Sequence, residues 1–381
     1  MQAHSNSKKI LLLNAVLTNN GDAALVFGLY EALLRKGHQV SILTMHYNKI
    51  KDSYSKYPLL NDRSSAWIFI KLPWLRRFFI AIQLLSLKEF KEADMIVGCP
   101  GGYMNSTYGI RNKLLIFFLS KRRGKATGIY AQSFGPFNDA DCARMKVGSR
   151  HIDLIQARDQ WSLDNLLDCG LDESQVQLTN DAAFLLAPMR ANEKAKKVAF
   201  SVRDWSADGR RIEDFDKMVV AMIEHLVSFG YVVDFLSTCQ GIAGYVDDAA
   251  AAARIQAKLP KELLSQTQLI EGFRPLNELR EKLMSYDFVV GTRLHMCVLA
   301  MKSGVPALNI SYEEKGRAMY SYLGFGNFTI DYNQEPSEAV KLMLSFIKEL
   351  PDLQVRVVEV MENQRLKAED NLTRGLSELI S

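Results

Sequence analysis

Short apolar runs recur along the chain, each followed by a polar or glycine-bearing turn and then by apolar residues at helical spacing. The first run lies in residues 8–14, where two lysines precede Ile-Leu-Leu-Leu, and it reads as a buried strand. Thr18-Asn19-Asn20-Gly21-Asp22 makes a turn, residues 23–36 carry a helical pattern closed by Gly37, and residues 40–44 form a second strand. Strand, turn, helix and strand in that order is a βαβ unit. Further strands are expected at 95–97, 126–131 and 154–157. The pattern breaks into a polar, basic stretch at 188–197 and then resumes. Strands at 198–202, 231–236, 267–270 and 287–290 alternate with helices at 212–229, 249–258 and 276–285. Residues 337–380 read as helical, with a break at Pro351. Two βα domains joined near residue 190 are the economical reading, and ligands then lie beyond the carboxyl ends of the strands.

Composition narrows the class. The 381 residues are 48% hydrophobic and 24% charged, the balance of a soluble globular protein with two cores. A net charge of +4 is too small for bulk nucleic-acid binding, yet it suits an anionic small substrate or an anionic membrane surface. Five scattered cysteines without a CxxC pair argue against a disulfide framework or a zinc site and for a reducing compartment. No signal peptide fits the polar N-terminus, and no run is long and apolar enough to span a bilayer.

The most informative stretch runs from Asp287 to Pro306. A strand ends at Val290, Gly291 turns the chain, Thr292 is placed to cap the next helix, and Arg293-Leu294-His295 open its first turn. A helix N-terminus favours anions, arginine supplies a planar donor fork, and histidine exchanges a proton near neutral pH. Taken alone, Arg293 paired with an acid and His295 bonded in the core is the commoner arrangement. The adjacent arginine, the helix start and the position after a strand reverse that preference.

Gly-x-Arg-Leu-His, Gly304-Val-Pro306, Tyr312-x-x-Lys315 and Leu323-Gly324 together resemble the signature of the polysaccharide pyruvyl transferase family. Asn20-Gly21-Asp22, Gln132-Ser133-Phe-Gly135-Pro136 and Ala157-Arg158-Asp159 with Ser162 are similar to other segments of that family, so the resemblance spans about residues 10–325. Gly98-Cys99-Pro100-Gly101-Gly102 stands where the family often has a run of glycines, and Asp181-Ala182-Ala183-Phe184 replaces its Asp-Pro-Ala-Phe.

The resemblance implies an α/β fold of two Rossmann-like domains facing across a cleft, of the glycosyltransferase-B kind. The expected division is an acceptor-side domain at 1–188, a phosphoenolpyruvate-binding domain at 189–345, and a helical segment at 346–381 packing back on the first domain. It implies a cytoplasmic enzyme of capsule or exopolysaccharide synthesis. That enzyme moves the pyruvyl unit of phosphoenolpyruvate onto two hydroxyls of a galactose-type sugar in a polyprenyl-diphosphate-linked precursor. Arg203 and Arg293 would hold the donor, Lys315 would lie near its phosphate, and His295 would protonate C3 to make C2 electrophilic. Arg203 also follows a strand, although an ion pair with Asp204 or Asp208 explains it equally well. Asp22 would meet the acceptor or take a hydroxyl proton, or else cap the first helix. Ser133 belongs to a matching segment, Gly101 and Gly102 would admit close backbone approach, and Asn105 or Tyr103 would contact a sugar, turn formation being the alternative. The route needs no cofactor and no metal. A nucleotide-sugar glycosyltransferase and a non-catalytic glycan-binding relative are the rival readings. Residues 67–85 mix Trp, Phe and Leu with Lys71, Arg76 and Arg77, which suits either a core helix with a basic end or peripheral contact with the inner face of the cytoplasmic membrane.

Overall fold

A computed structural model describes residues 7–65, 73–190 and 195–380, with side chains described for 7–64, 75–190 and 195–379. Trp67 and Lys71 of the aromatic basic segment lie outside these residues, as does the side chain of Trp74. The chain divides into two compact units. One holds the residues up to Thr18, Asp22–Leu186 and the chain from Gln364 onward; the other holds Asn19–Gly21 and Ala187–Asn363.

The first unit is built on an eight-stranded sheet: β1 (Lys9–Ala15), β2 (Gln39–Thr44), β3 (Leu59–Asn61), β4 (Met95–Gly98), β5 (Gly101–Met104), β6 (Ala126–Phe134), β7 (Leu154–Ala157) and β8 (Val176–Leu178). Its order is β3-β2-β1-β4-β6-β7-β8, with β5 on β6, and the pairs are parallel. Leu11, Leu12 and Leu13 are all buried, as expected of a central strand covered on both faces. Its helices are α1 (Asn20–Arg35), α2 (Tyr47–Ile50), α3 (Pro73–Ser86), α4 (Lys88–Glu92), α5 (Arg111–Lys121), α6 (Asp139–Gly148) and α7 (Gln160–Asp168).

Helix α1 starts three residues before the expected Ala23, because Asn19 Oδ1 accepts from Gly21 N at 2.8 Å and organises the turn. Strand β6 runs past the expected Ala131, through a register shift at Ala131 (φ 45°), and so carries Gln132 and Ser133 within the sheet. Cys142 of α6 and Cys169, the residue closing α7, are joined by a disulfide, which corrects the expectation from cysteine spacing. They stand 27 positions apart in the sequence, and only tertiary packing brings them together.

The second unit has six parallel strands: β9 (Lys197–Ser201), β10 (Val232–Phe235), β11 (Thr267–Leu269), β12 (Phe288–Gly291), β13 (Ala307–Ser311) and β14 (Thr329–Asp331). The order β11-β10-β9-β12-β13-β14 is that of a dinucleotide-fold sheet, reversing direction between β9 and β12. Helices α8 (Ile212–Ser228), α9 (Ala249–Gln256), α10 (Leu276–Leu283), α11 (Leu294–Lys302), α12 (Glu314–Tyr322) and α13 (Pro336–Lys348) accompany it. Helix α14 (Leu350–Ile380) follows after a break at Glu349 rather than at Pro351. Pro351 sits in its first turn, where a missing N–H is harmless. Its later part belongs to the first unit, where Leu372, Leu376 and Leu379 line a small apolar cavity with Leu29 and Leu33.

Candidate functional site

In an open parallel sheet the crevice forms where the strand order reverses, and in the second unit that point lies between β9 and β12. Ser201 and Gly291 are paired there, and Thr292 closes the seam: its N–H and its hydroxyl both donate to Ser201 O, at 2.8 and 3.0 Å. Thr292 is therefore not the cap of α11. That position falls to Arg293, whose side chain makes no capping bond.

Arg293 Nε and Nη2 instead donate to Asp248, at 2.8 and 2.7 Å. Asp248 is buried and also accepts from Ser237 Oγ at 2.6 Å. Burial disfavours charge on Arg293, but the carboxylate outweighs it and holds the guanidinium protonated. The common alternative of pairing with an acid thus holds for two of its nitrogens, while Nη1 makes no hydrogen bond among the described residues. Asp248 went unnoticed in sequence, since nothing local separates it from Asp247, which binds the backbone N–H groups of Gly241 and Ala249.

Arg203 makes no ion pair among the described residues, and Asp204 is taken by Arg254 at 2.6 Å. Its guanidinium lies 4.9 Å from the ring centroids of both Trp205 and Tyr312, and Nη1 donates to Tyr312 Oη. Tyr332 fixes the surrounding loop: its hydroxyl donates to Arg203 O and accepts from Trp205 N, each at 3.0 Å, while its ring stacks on Phe215 at 4.2 Å. Tyr312 feels the charge of both Arg203 and Arg293, although burial dominates and keeps its phenol neutral. Tyr312 therefore holds the Arg203 guanidinium in place, a role its motif did not reveal.

Leu294 opens α11 and His295 follows in its first turn. A methyl group at Gly21 would stand 3.0 Å from His295 Cβ, so the loop Asn19–Gly21 rests directly against the imidazole. The loop is held there by Asn20, whose N–H donates to Thr238 O and whose Nδ2 donates to Arg274 O, both at 2.9 Å. Cys297 lies on the same helix, but burial pushes its thiol up to about 12, which rules out a ready nucleophile. Lys315 is half exposed and 3.4 Å from Glu313, so its charge is already partnered.

The other predicted residues belong to the first unit. Asp22 lies in the first turn of α1, inside the helix rather than capping it. Ser133 Oγ accepts from Arg158 Nη2 at 2.5 Å, and Arg158 Nη1 is 3.2 Å from the buried Asp181, so one arginine ties the Gln132-Ser133 segment to Asp181. Gly101 and Gly102 begin β5, and a methyl group at Gly102 would meet nothing within 4 Å. Asn105 serves the turn, donating to Gly102 O at 2.9 Å and accepting from Tyr108 N at 3.0 Å.

Comparison with known proteins bears on the fold and the family. Solved structures sharing the fold include Anabaena HepE in complex with UDP and glucose, 13% identical with a TM-score of 0.62, covering 97% of this chain and 99% of that one. A UDP-GlcNAc 2-epimerase from Neisseria meningitidis bound to UDP-GlcNAc is 11% identical with a TM-score of 0.59, covering 97% and 99%. The chain thus has the two-Rossmann-like fold of the glycosyltransferase-B kind. Among curated proteins, the amylovoran biosynthesis protein AmsJ of Erwinia amylovora is 22% identical over 300 residues, 73% of this chain and 71% of AmsJ. The polysaccharide pyruvyl transferase family model matches residues 19–314, which takes in Asp22, Ser133, Arg158, Arg203, Arg293 and His295. The chain belongs to the polysaccharide pyruvyl transferase family, and it is a transferase.

Proposed function

We propose that this enzyme transfers the pyruvyl unit of phosphoenolpyruvate to two hydroxyls of a galactose-type sugar in a polyprenyl-diphosphate-linked polysaccharide precursor. The observation that carries the reading is the placing of two guanidinium groups just after the paired strands β9 and β12, Arg203 held by Tyr312 and Arg293 oriented by Asp248. Phosphoenolpyruvate keeps a carboxylate and a phosphate charged throughout, and two fixed guanidiniums, one of them at a helix N-terminus, suit both groups.

His295 supplies a proton to C3 and the first hydroxyl adds to C2. The bond from C2 to the phosphate oxygen then breaks, and the second hydroxyl closes the cyclic ketal. Of the two hydroxyl protons released, one replenishes His295 and the other leaves with phosphate. Asp22 follows Gly21 directly and is the carboxylate assigned to the acceptor hydroxyl. Lys315 is assigned to phosphate only if it exchanges Glu313 for it. Ser133, Gly101, Gly102 and Asn105 are assigned to the acceptor side, with Arg158 holding Ser133 in place.

Thermal-shift titration with phosphoenolpyruvate and with UDP-glucose tests the donor. Phosphoenolpyruvate at one hundred times its Kd stabilises by about 2.7 kcal/mol, a rise of a few degrees. His295→Ala retains that rise but releases no phosphate when given phosphoenolpyruvate and a panel of lipid-linked sugars. Stabilisation by UDP-glucose and not by phosphoenolpyruvate would point to the glycosyltransferase reading instead.

A further inference from the structure

Helix α3 has two apolar faces. Ile80 and Leu84 point into the core beside Leu11, Leu13, Leu43 and Ile96. Phe78 and Ile82 are each offset from them by two residues, roughly 200° around the helix, and so emerge on the opposite side. There Phe78 is 67% exposed and Ile82 49% exposed, which excludes a purely core role for this helix. Exposed apolar residues scattered singly need no explanation, but these two stand one turn apart on one face.

The charge around that face is one-sided. Helix α5 packs against both α3 and α6, which brings arginines from three helices to one region of the first unit. Arg111 and Arg144 lie close enough to Arg77 to depress its basicity, after burial. Lys113 is pushed down to about 8, by burial first and then by Arg76. Arg76 Nε is buried and has no hydrogen-bond partner among the described residues. Asp141, which lies beside Arg144, is already engaged, since it accepts from Ser106 Oγ at 2.8 Å and from Arg144 at 2.7 Å. Tyr108, whose carbonyl accepts from Lys113 Nζ at 3.2 Å, adds an aromatic ring that is 69% exposed. Five cations in one patch stand out in a chain whose net charge is only +4.

We propose that this face, made by Phe78, Ile82 and Tyr108 with Arg77, Arg111 and Arg144 around them, seats the first unit on an anionic phospholipid bilayer. Arginines suit phosphate headgroups, and aromatic and aliphatic tips suit the headgroup–acyl boundary. No described helix is long and apolar enough to cross a membrane, so the contact is peripheral. The inference does not depend on which donor or sugar the enzyme uses.

Flotation of the full chain with phosphatidylcholine vesicles, with and without 30% phosphatidylglycerol, tests it. Each arginine near an anionic surface contributes about fivefold in partitioning, so binding to the anionic vesicles should dominate and should collapse in about 0.5 M salt. The Arg77→Glu, Arg144→Glu double variant should lose at least about tenfold of that binding. The Phe78→Ser, Ile82→Ser variant should lose binding to the same vesicles while keeping its circular dichroism spectrum and its melting temperature. Equal partitioning of the wild type to both vesicle types, or none, overturns the proposal. Full binding by both variants overturns it too. Displacement of the protein from vesicles by millimolar inorganic phosphate at constant ionic strength would make the patch a small-anion site instead.

Discussion

Arg203 and Arg293 are both arginines after strands, yet their surroundings assign them different duties. Among the described residues, the Arg203 guanidinium meets aromatic rings and a phenol and no carboxylate, which leaves its charge for an anionic ligand under the proposed function. Arg293 is already balanced by Asp248, which fixes the direction of its fork. Arg203→Ala should weaken phosphoenolpyruvate at least about tenfold, the cost of one charge-assisted pair, with little change in melting temperature. Asp248→Asn should weaken it to a similar extent, and the Asp248→Asn, Arg293→Ala double variant should be no weaker than Arg293→Ala alone, because both act through one guanidinium. Isothermal titration measures all four. A purely structural Asp248 would lower the melting temperature and leave the affinity unchanged.

Helix α1 runs along the core of the first unit from Asp22 onward. Gly28, at its middle, faces the carbonyl of Ala182, which would stand 2.3 Å from any added methyl group. That carbonyl belongs to the turn Ala182–Leu185, capped by Asp181, the same carboxylate that Arg158 approaches. Alanine is the better helix former by about 1 kcal/mol, but overpacking against fixed backbone costs about 1–3 kcal/mol. The second effect should win. Gly28→Ala is expected to lower the urea midpoint, whereas relief of helix entropy alone would raise it.

Across the whole molecule, carboxylates held by cations and hydrogen bonds tie the elements of each unit together. Asp216 on α8 is buried, which opposes its ionisation, but Arg254 and Lys258 overcome this and hold it below the usual carboxylate range. Asp331 is lowered in the same way, with Arg210 outweighing its burial, and Asp153 is lowered by Lys121 and Thr127. A carboxylate depressed on folding stabilises fully above its unfolded pKa, about 3.9, and that contribution is lost as pH falls through the folded value. The melting temperature should therefore hold between about pH 5 and 7 and fall steadily below about pH 4. Asp216→Asn should melt lower at pH 7 yet lose less between pH 4 and pH 2. An unchanged acid slope in that variant would remove Asp216 from the account.

Periodicity and motif spacing were enough to read the alternating strands and helices and the positions of Arg203, Arg293 and His295 after their strands. Those features are local: a buried parallel strand is a continuous apolar run, and a turn needs its glycine whatever lies around it. Strand order, the disulfide between Cys142 and Cys169, and the extension of β6 through its bulge were decided by packing between segments distant in sequence. The partners of the site residues were decided the same way. Asp248 lies 45 residues from Arg293, and Tyr312 lies 109 residues from Arg203. Local sequence shows which residue types follow a strand, because the backbone sets their position. Which of their charges is already neutralised depends on side chains that only the folded sheet brings within 3 Å.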